Sequence, residues 1–106
     1  MADSTPCPIK TANDIFGGKW KPGILYRLMK RPHRYSELAR DMPWVSERVL
    51  TRALKEMQRD GIVTRTATGS PPMRVEYALS AEGDTLRPVL AAICDWGTDR
   101  LARDGG

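Results

Sequence analysis

The chain has few of the residues that build metal sites and disulfide-linked folds, since its 106 residues include only two cysteines and one histidine. Two thiols cannot supply a disulfide framework, so reduced cysteines are the default expectation. One histidine without a neighbouring group of carboxylates argues against a metal site. We expect a fold held together by apolar packing, with no metal ion and no cofactor.

The chain also lacks a long hydrophobic run. Its longest apolar stretch, Val89 to Cys94, is far too short to cross a bilayer. Met1 to Lys10 contains no apolar segment of the kind that a secretion signal needs. These absences predict a cytoplasmic protein with no membrane partner. The length predicts one small domain over residues 1–106, which would gain stability from oligomerisation.

Acidic residues are scarce in the first part of the chain. Residues 1–75 carry fourteen basic and seven acidic side chains, whereas residues 76–106 carry three basic and six acidic ones. The two parts therefore have net charges of +7 and −3. A basic excess attracts a polyanion and makes its binding sensitive to salt. Many soluble domains are mildly basic, however, so net charge alone does not indicate a polyanion-binding protein, and the arrangement of the charges is the better guide.

The segment from Ser46 to Asp60 has the pattern of one amphipathic helix. Its apolar residues recur at helical spacing and are predicted to pack inward: Val49, Leu50, Ala53, Leu54 and Met57. Its basic residues lie on the opposite side: Arg48, Arg52, Lys55 and Arg59. Ser46 is a suitable N-terminal cap and Gly61 a suitable stop. A helix with one basic face indicates contact with DNA.

Two strands are predicted directly after this helix, over Ile62 to Ala67 and over Arg74 to Leu79, with a loop rich in glycine and proline between them. A basic helix followed by a hairpin is typical of a winged helix-turn-helix. The predicted fold class is therefore α+β and mainly α: a winged helix-turn-helix with a two-stranded wing, flanked by N- and C-terminal dimerisation helices.

Three shorter helices are predicted before the basic helix. The first runs from Pro8 to about Phe16, the second begins at Lys21-Pro22, and Arg31-Pro32 ends it. The third spans Ser36 to Asp41 with Ser36 as its cap. The single histidine, His33, is interpreted as an exposed loop residue between the second and third helices.

A long helix is predicted at the end of the chain, from a cap at Ser80 to about Arg103, with a bend at Pro88. Its apolar stripe either folds back onto the domain or forms a homodimer seam with the first helix, and we favour the dimer. The dimerisation segments would be residues 7–17 and 81–103. The predicted interface residues are Ile9, Phe16, Leu86, Val89, Leu90, Ile93 and Trp96.

In this interpretation the basic helix enters the major groove, where Arg48 and Arg52 can donate paired hydrogen bonds to guanine and Glu47 can accept from cytosine. Arg65 and Arg74 are suited to phosphate or minor-groove contact. The alternative is a solvated helix face with ion pairs such as Arg52–Glu56. The complete set of predicted DNA-binding residues is Ser46, Glu47, Arg48, Thr51, Arg52, Lys55, Arg65, Arg74, Lys19 and Arg34. The last two belong to a basic run without acidic residues: Lys19, Lys21, Lys30, Arg31 and Arg34.

Cys7 is the candidate for thiol chemistry. It precedes a helix, where free amides and the dipole favour a thiolate, and Lys10 lies one turn away. Such a thiol suits attack on a peroxide, an aldehyde or a quinone, although Cys7 can equally be a small residue at a helix start. Cys94 is expected to be a packing residue, with an intersubunit bridge to Cys7 left open. Three tryptophans could line a pocket for an aromatic effector, or anchor core and interface: Trp20, Trp44 and Trp96.

Six fragments of the chain together match the pattern of HxlR-type bacterial transcriptional regulators, which have a MarR-like winged helix-turn-helix. They are Cys7-Pro8-Ile9, Gly17-Gly18-Lys19-Trp20, Tyr35-Ser36-Glu37-Leu38, Asp60-Gly61-Ile62-Val63, Arg74-Val75-Glu76-Tyr77 and Leu86-Arg87-Pro88-Val89-Leu90. The chain thus resembles this family over nearly its whole length.

The resemblance implies a homodimeric DNA-binding protein whose first and last helices form the dimer interface. Family members act as repressors or activators, and several sense electrophiles, oxidants or quinones through the cysteine that matches Cys7. The expected partners are therefore double-stranded DNA, a second copy of the chain and a small electrophile or aromatic effector. Two other classes are considered: a winged-helix protein-interaction module without specific DNA binding, and a cysteine-dependent enzyme. The second is disfavoured because no base lies near Cys7 in the sequence.

Overall fold

Six helices and three short strands make up residues 6–105, the part of the chain that the computed structural model describes. The helices are α1 (Pro8–Phe16), α2 (Lys21–Lys30), α3 (Tyr35–Asp41), α4 (Glu47–Arg59), α5 (Ala81–Asp84) and α6 (Arg87–Asp104). The strands are β1 (His33–Arg34), β2 (Val63–Thr68) and β3 (Arg74–Leu79). The predicted winged helix-turn-helix is confirmed: α3 and α4 form the helix-turn-helix, and β2 and β3 form the wing. Residues 1–5 and 106 of the predicted domain lie outside the described part.

The core lies where α2, α3 and α4 meet the base of the wing. Apolar residues repeat at helical spacing on each of these helices, so each helix presents one apolar stripe inward. The largest fully buried side chains are Ile24, Leu25, Leu28, Leu38, Leu50, Leu54 and Met57. This packing fixes the rotation of α4 about its own axis, because its apolar stripe can face only the core.

The sheet has three strands, in the order β1-β3-β2, and all pairs are antiparallel. The two strands of the wing were predicted, whereas β1 was not, because the segment around His33 was interpreted as a loop. His33 pairs with Tyr77 in the register of the sheet and is only 4% exposed. The interpretation of His33 as an exposed loop residue was therefore wrong. Its ring Nδ1 lies 2.8 Å from the Arg31 carbonyl oxygen.

The N-cap of α3 lies two residues before the predicted one, because Arg34 occupies that position instead of Ser36. The Arg34 backbone N–H donates to Glu37 Oε1 at 2.8 Å. Arg31 also donates to the Glu37 carboxylate, at 3.2 Å. These hydrogen bonds, led by the one from Arg34, lower the pKa of Glu37 from 4.5 to about 2. Glu37, in the first turn, thus accepts the backbone N–H of the N-cap residue, whereas the prediction relied on a serine hydroxyl as the cap.

The predicted single C-terminal helix is two helices. Ser80 caps α5 as expected, since its Oγ accepts a hydrogen bond from the Gly83 N–H at 2.9 Å. The chain then turns, and Pro88 stands in the first turn of α6 instead of bending a continuous helix. A proline is tolerated there because no carbonyl within the helix needs its missing N–H. None of the helices in residues 6–105 is both long and apolar enough to cross a membrane.

A compact joint connects the end of α4 to the start of α5. Gly61 ends α4 with a φ of 77°, a conformation that other residues rarely adopt, and so turns the chain into β2. The Ser80 backbone N–H donates to the Ile62 carbonyl at 2.9 Å, and Ser80 Oγ donates to the Gly61 carbonyl at 2.5 Å. The joint thus attaches the helix-turn-helix directly to the C-terminal helices.

Candidate nucleic-acid interface

The two faces of α4 are separated as the sequence predicts. Ser46 caps the helix, because its Oγ accepts a hydrogen bond from the Val49 N–H at 3.2 Å. The buried face consists of Leu50, Ala53, Leu54 and Met57, while Val49 is half-buried at its edge. The exposed face carries Arg48, Arg52, Lys55 and Arg59. Within the described residues, none of these four cations forms an ion pair with a carboxylate.

The ion pair Arg52–Glu56, which the solvated-face alternative suggested, does not form. Glu56 instead contacts Lys21 at the start of α2, with 3.0 Å between Nζ and Oε1. This hydrogen bond is the main reason that the pKa of Glu56 lies below its ordinary value. The guanidinium of Arg52 therefore keeps its donors available to a ligand.

Tyr35 braces the first turns of α4 and was not recognised from the sequence. Its hydroxyl donates to the Glu47 carbonyl at 3.2 Å, and the Thr51 hydroxyl donates to the Tyr35 oxygen at 3.4 Å. Thr51 is half-buried, so its hydroxyl is already engaged inside the protein. The Glu47 side chain is exposed beside it. In the sequence, this contact could be suspected only from a tyrosine at the start of α3 and polar residues in the first turns of α4.

The two wing arginines occupy opposite faces of the hairpin. Arg65 lies across from Tyr77, which is buried, whereas Arg74 lies across from Thr68 at the outer end of the strands. Because side chains alternate along a strand and cross-strand partners share a face, Arg65 and Arg74 cannot contact the same phosphate side by side. Both side chains are exposed.

The basic run before α3 is only partly free of acidic neighbours in three dimensions. Lys21 is paired with Glu56, and Arg31 with Glu37. Lys19 lies over the Trp20 ring, 5.0 Å from its centroid, and Lys30 lies over the Tyr26 ring, 4.5 Å from its centroid. Arg34 is exposed on β1, across from Glu76. Lys19, Lys30 and Arg34 thus form no ion pair among the described residues.

Basic residues line two grooves along α4. One groove, of about 390 Å³, lies between the loop after α1 and α4 and is lined in part by Lys19, Lys21 and Arg52. The other, of about 400 Å³, follows α4 itself and includes Arg48, Lys55 and Arg59. Arg52 and Glu56 border both grooves. These grooves extend the cationic surface from α4 to the start of α2.

The apolar residues predicted to form a dimer interface fall into two groups. Ile9, Val89, Ile93 and Trp96 are exposed on α1 and α6, and Trp96 is 64% exposed. Phe16 and Leu86 are half-buried and pack against the core of their own chain. Leu90 is only 2% exposed, so its assignment to the interface was wrong. The apolar residues of α6, three or four positions apart, cover a wide arc of the helix surface. One edge of this arc, which contains Leu90, faces α2 of the same chain.

Cys7 is exposed at the N-cap position of α1. Lys10 does not lie against it, because the Lys10 ammonium donates to Asp14 at 2.8 Å, which raises the pKa of Lys10. Cys94 is half-buried. A largely apolar cleft of about 400 Å³ borders α1, and Pro8, Phe16 and Leu86 line it together with Asp60 and Glu82.

The three tryptophans do not share a pocket in the described structure. Trp20 is half-buried at the start of α2, whereas Trp44 is 61% exposed in the turn before α4 and Trp96 is exposed on α6. They therefore do not form one aromatic effector site. Among the described residues, no group of three or more histidine, cysteine, aspartate or glutamate side chains is placed to hold a metal ion.

Comparison with known families matches residues 15–104 to the profile of the HxlR-like helix-turn-helix. Among curated proteins, the chain is 41% identical over 95 residues to YdeP, an uncharacterized HTH-type transcriptional regulator of Bacillus subtilis (strain 168). This match covers 90% of the chain and 74% of YdeP.

Solved structures with the same fold include a redox regulator, HypR, and a transcriptional regulator, YodB. The oxidized form of the redox regulator HypR has a TM-score of 0.85 and 36% identity, covering 88% of this chain and 96% of HypR. Its reduced form has a TM-score of 0.86 and 34% identity, and the match covers 94% of this chain and 100% of HypR. The reduced form of the transcriptional regulator YodB from B. subtilis has a TM-score of 0.72 and 30% identity, covering 87% and 91%.

Proposed function

Because this chain belongs to the HxlR-like helix-turn-helix family of transcriptional regulators, we propose that it binds a specific DNA sequence as a homodimer. The observation that carries the proposal is the exposed face of α4, whose four cations have no carboxylate partner among the described residues. A recognition helix needs side chains of this kind, with donors free to reach base edges. The protein acts in the cytoplasm, where its DNA is found.

In the proposed complex, α4 enters the major groove and the wing lies on the backbone or in the minor groove. Arg48 and Arg52 donate to guanine, and Glu47 accepts from cytosine. Lys19 and Arg34 hold phosphates on either side. Two copies related by a twofold axis present their α4 helices to half-sites ~34–36 Å apart, so the operator is an inverted repeat.

The proposal is tested by incubating the reduced protein with sheared genomic DNA of its source at moderate salt and sequencing the retained fragments. Enrichment of an inverted repeat near promoters supports a sequence-specific regulator. Uniform recovery of all sequences contradicts it. Binding that does not depend on salt concentration would favour the other candidate, a protein-interaction module, because phosphate contacts release counterions.

Arg74→Ala is expected to weaken binding to all DNA sequences alike, by a few-fold, because a wing arginine on a phosphate carries no base information. A plot of the logarithm of the binding constant against the logarithm of the salt concentration should become less steep by about one unit for each wing. Titrations of a selected and a scrambled duplex at several salt concentrations measure both effects. Arg103→Ala, which removes an exposed arginine from the far end of α6, is the matched control and should change neither. A changed base preference in Arg74→Ala would show that the wing reads bases.

We further propose that Cys7 makes DNA binding responsive to oxidants or electrophiles. Its exposure at the start of α1 supports this, as does the similarity to HypR and YodB. The largely apolar cleft that includes Pro8, the residue after Cys7, would admit a small aromatic molecule. Since α1 belongs to the proposed dimer interface, modification there would change the spacing of the two α4 helices.

Cys7→Ser is expected to bind the selected duplex like the unmodified protein, within about twofold, and to lose the response to diamide or a quinone. Duplex titrations before and after treatment measure this. Cys94→Ser is the matched control. If it keeps the response, Cys7 acts without Cys94; if it also loses the response, the two thiols act as a pair. A Cys7→Ser protein that still responds would rule out Cys7 as the sensor.

A further inference from the structure

One carboxylate lies in the middle of the cationic surface of α4. Glu56 borders both basic grooves, and cations surround it on α4 and on the start of α2. A negative charge at this position opposes binding of a polyanion unless another group neutralises it. The structure therefore raises the question of what Glu56 does on a surface that binds DNA.

Lys21 neutralises Glu56 from outside the recognition helix. Its ammonium contacts Glu56 Oε1 at 3.0 Å, and the Lys21 side chain is only 16% exposed. The lysine stands in the first turn of α2, which the core holds in place through Ile24 and Leu25. The core thus holds α2 in a position from which Lys21 reaches the Glu56 carboxylate on α4.

Without Lys21, Glu56 would have another partner within reach. Arg52 precedes Glu56 by four positions, and residues at this spacing are neighbours on the surface of a helix. A pair between Arg52 and Glu56 would occupy donors of the guanidinium that guanine needs. It would also leave the carboxylate close to the DNA backbone.

We propose that Lys21 is a positioning residue for DNA recognition. From the start of α2 it pairs with the Glu56 carboxylate on α4, and this pairing leaves Arg52 unpaired and free to contact a base. This inference rests on the proposed function, because it assigns Arg52 a base contact. It gives Lys21 a role in sequence selectivity although Lys21 itself need not touch a base.

The test is a mutant cycle with the selected duplex and a scrambled duplex. We expect Lys21→Met to weaken binding of the selected duplex by about three- to tenfold and to lower the ratio of selected to scrambled affinity. Glu56→Gln should bind at least as well as the unmodified protein. The double variant Lys21→Met with Glu56→Gln should recover the affinity to within about twofold, because no carboxylate remains to capture Arg52.

Lys19→Met is the matched control, since it removes a neighbouring lysine that has no ion pair among the described residues. Its effect should be the same in the unmodified protein and in the Glu56→Gln variant. Recovery of affinity in the double variant is the result that a merely structural role of Lys21 would not predict. Thermal midpoints of all variants identify loss of folding, and Lys21→Gln replaces Lys21→Met if the latter unfolds.

Failure of the double variant to recover the affinity would overturn the inference while leaving the proposed function intact. Equal affinity of the unmodified protein for both duplexes would instead overturn the proposed function and this inference with it. Comparing the two duplexes with the unmodified protein therefore tests the proposed function first, and the variants then test the inference about Lys21.

Discussion

Arg52→Ala is expected to remove sequence-specific DNA binding almost completely. Each bidentate contact to guanine contributes about 1–3 kcal/mol of base discrimination, and a dimer would lose two of them. With tenfold for every 1.4 kcal/mol, the affinity for the selected duplex should fall about thirtyfold or more. Binding to scrambled DNA should fall only slightly, because phosphate contacts elsewhere are kept. Competition titrations with both duplexes measure the difference.

Lys55→Ala is the matched control for Arg52→Ala, since Lys55 is also an exposed cation of α4 without a carboxylate partner in the described structure. It removes the same charge, but a lysine on a phosphate contributes to all sequences equally. An Arg52→Ala variant that still prefers the same sequence would show that Arg52 does not read a base.

Trp96→Glu is expected to convert the proposed dimer into monomers. A central tryptophan in an interface typically contributes about 2–4 kcal/mol, and a twofold interface counts it twice, so dissociation should be favoured by several hundredfold or more. Because Trp96 is 64% exposed in the single chain, the fold of each protomer should persist. Sedimentation velocity measures the oligomeric state, and circular dichroism measures the fold.

Loss of the dimer should also abolish tight binding to an inverted repeat, because the two half-sites would then be bound independently. For the oligomeric state, Trp44→Glu is the matched control: Trp44 is exposed to a similar degree but lies in the turn before α4 and not on α6, so this variant should remain dimeric. A Trp96→Glu protein that remains dimeric would place the interface elsewhere.

The sequence predicted α4 well because three independent signals agree there: the helical period of apolar residues, a capping serine and a terminal glycine. It predicted the start of α3 less well, since a glutamate replaced the hydroxyl cap, and it missed β1 because two residues are too few to show an alternating pattern. Periodicity identified the stripe of α6 but could not say which edge faces the chain's own core, as Leu90 shows. The ion pair of Lys21 with Glu56 joins distant segments, and a single sequence contains no signal for such a contact.

The pairing of β1 with β3 has a consequence for the order in which the protein folds. His33 and Tyr77 are more than forty residues apart in the sequence, and the chain between them contains α3, α4 and β2. Closing so long a loop costs entropy that only the completed core offsets. We expect these few hydrogen bonds to form late and to lock the helix-turn-helix inside the closed loop. Deleting the wing would therefore remove more than a DNA contact, since it would also take away the strand that closes this loop.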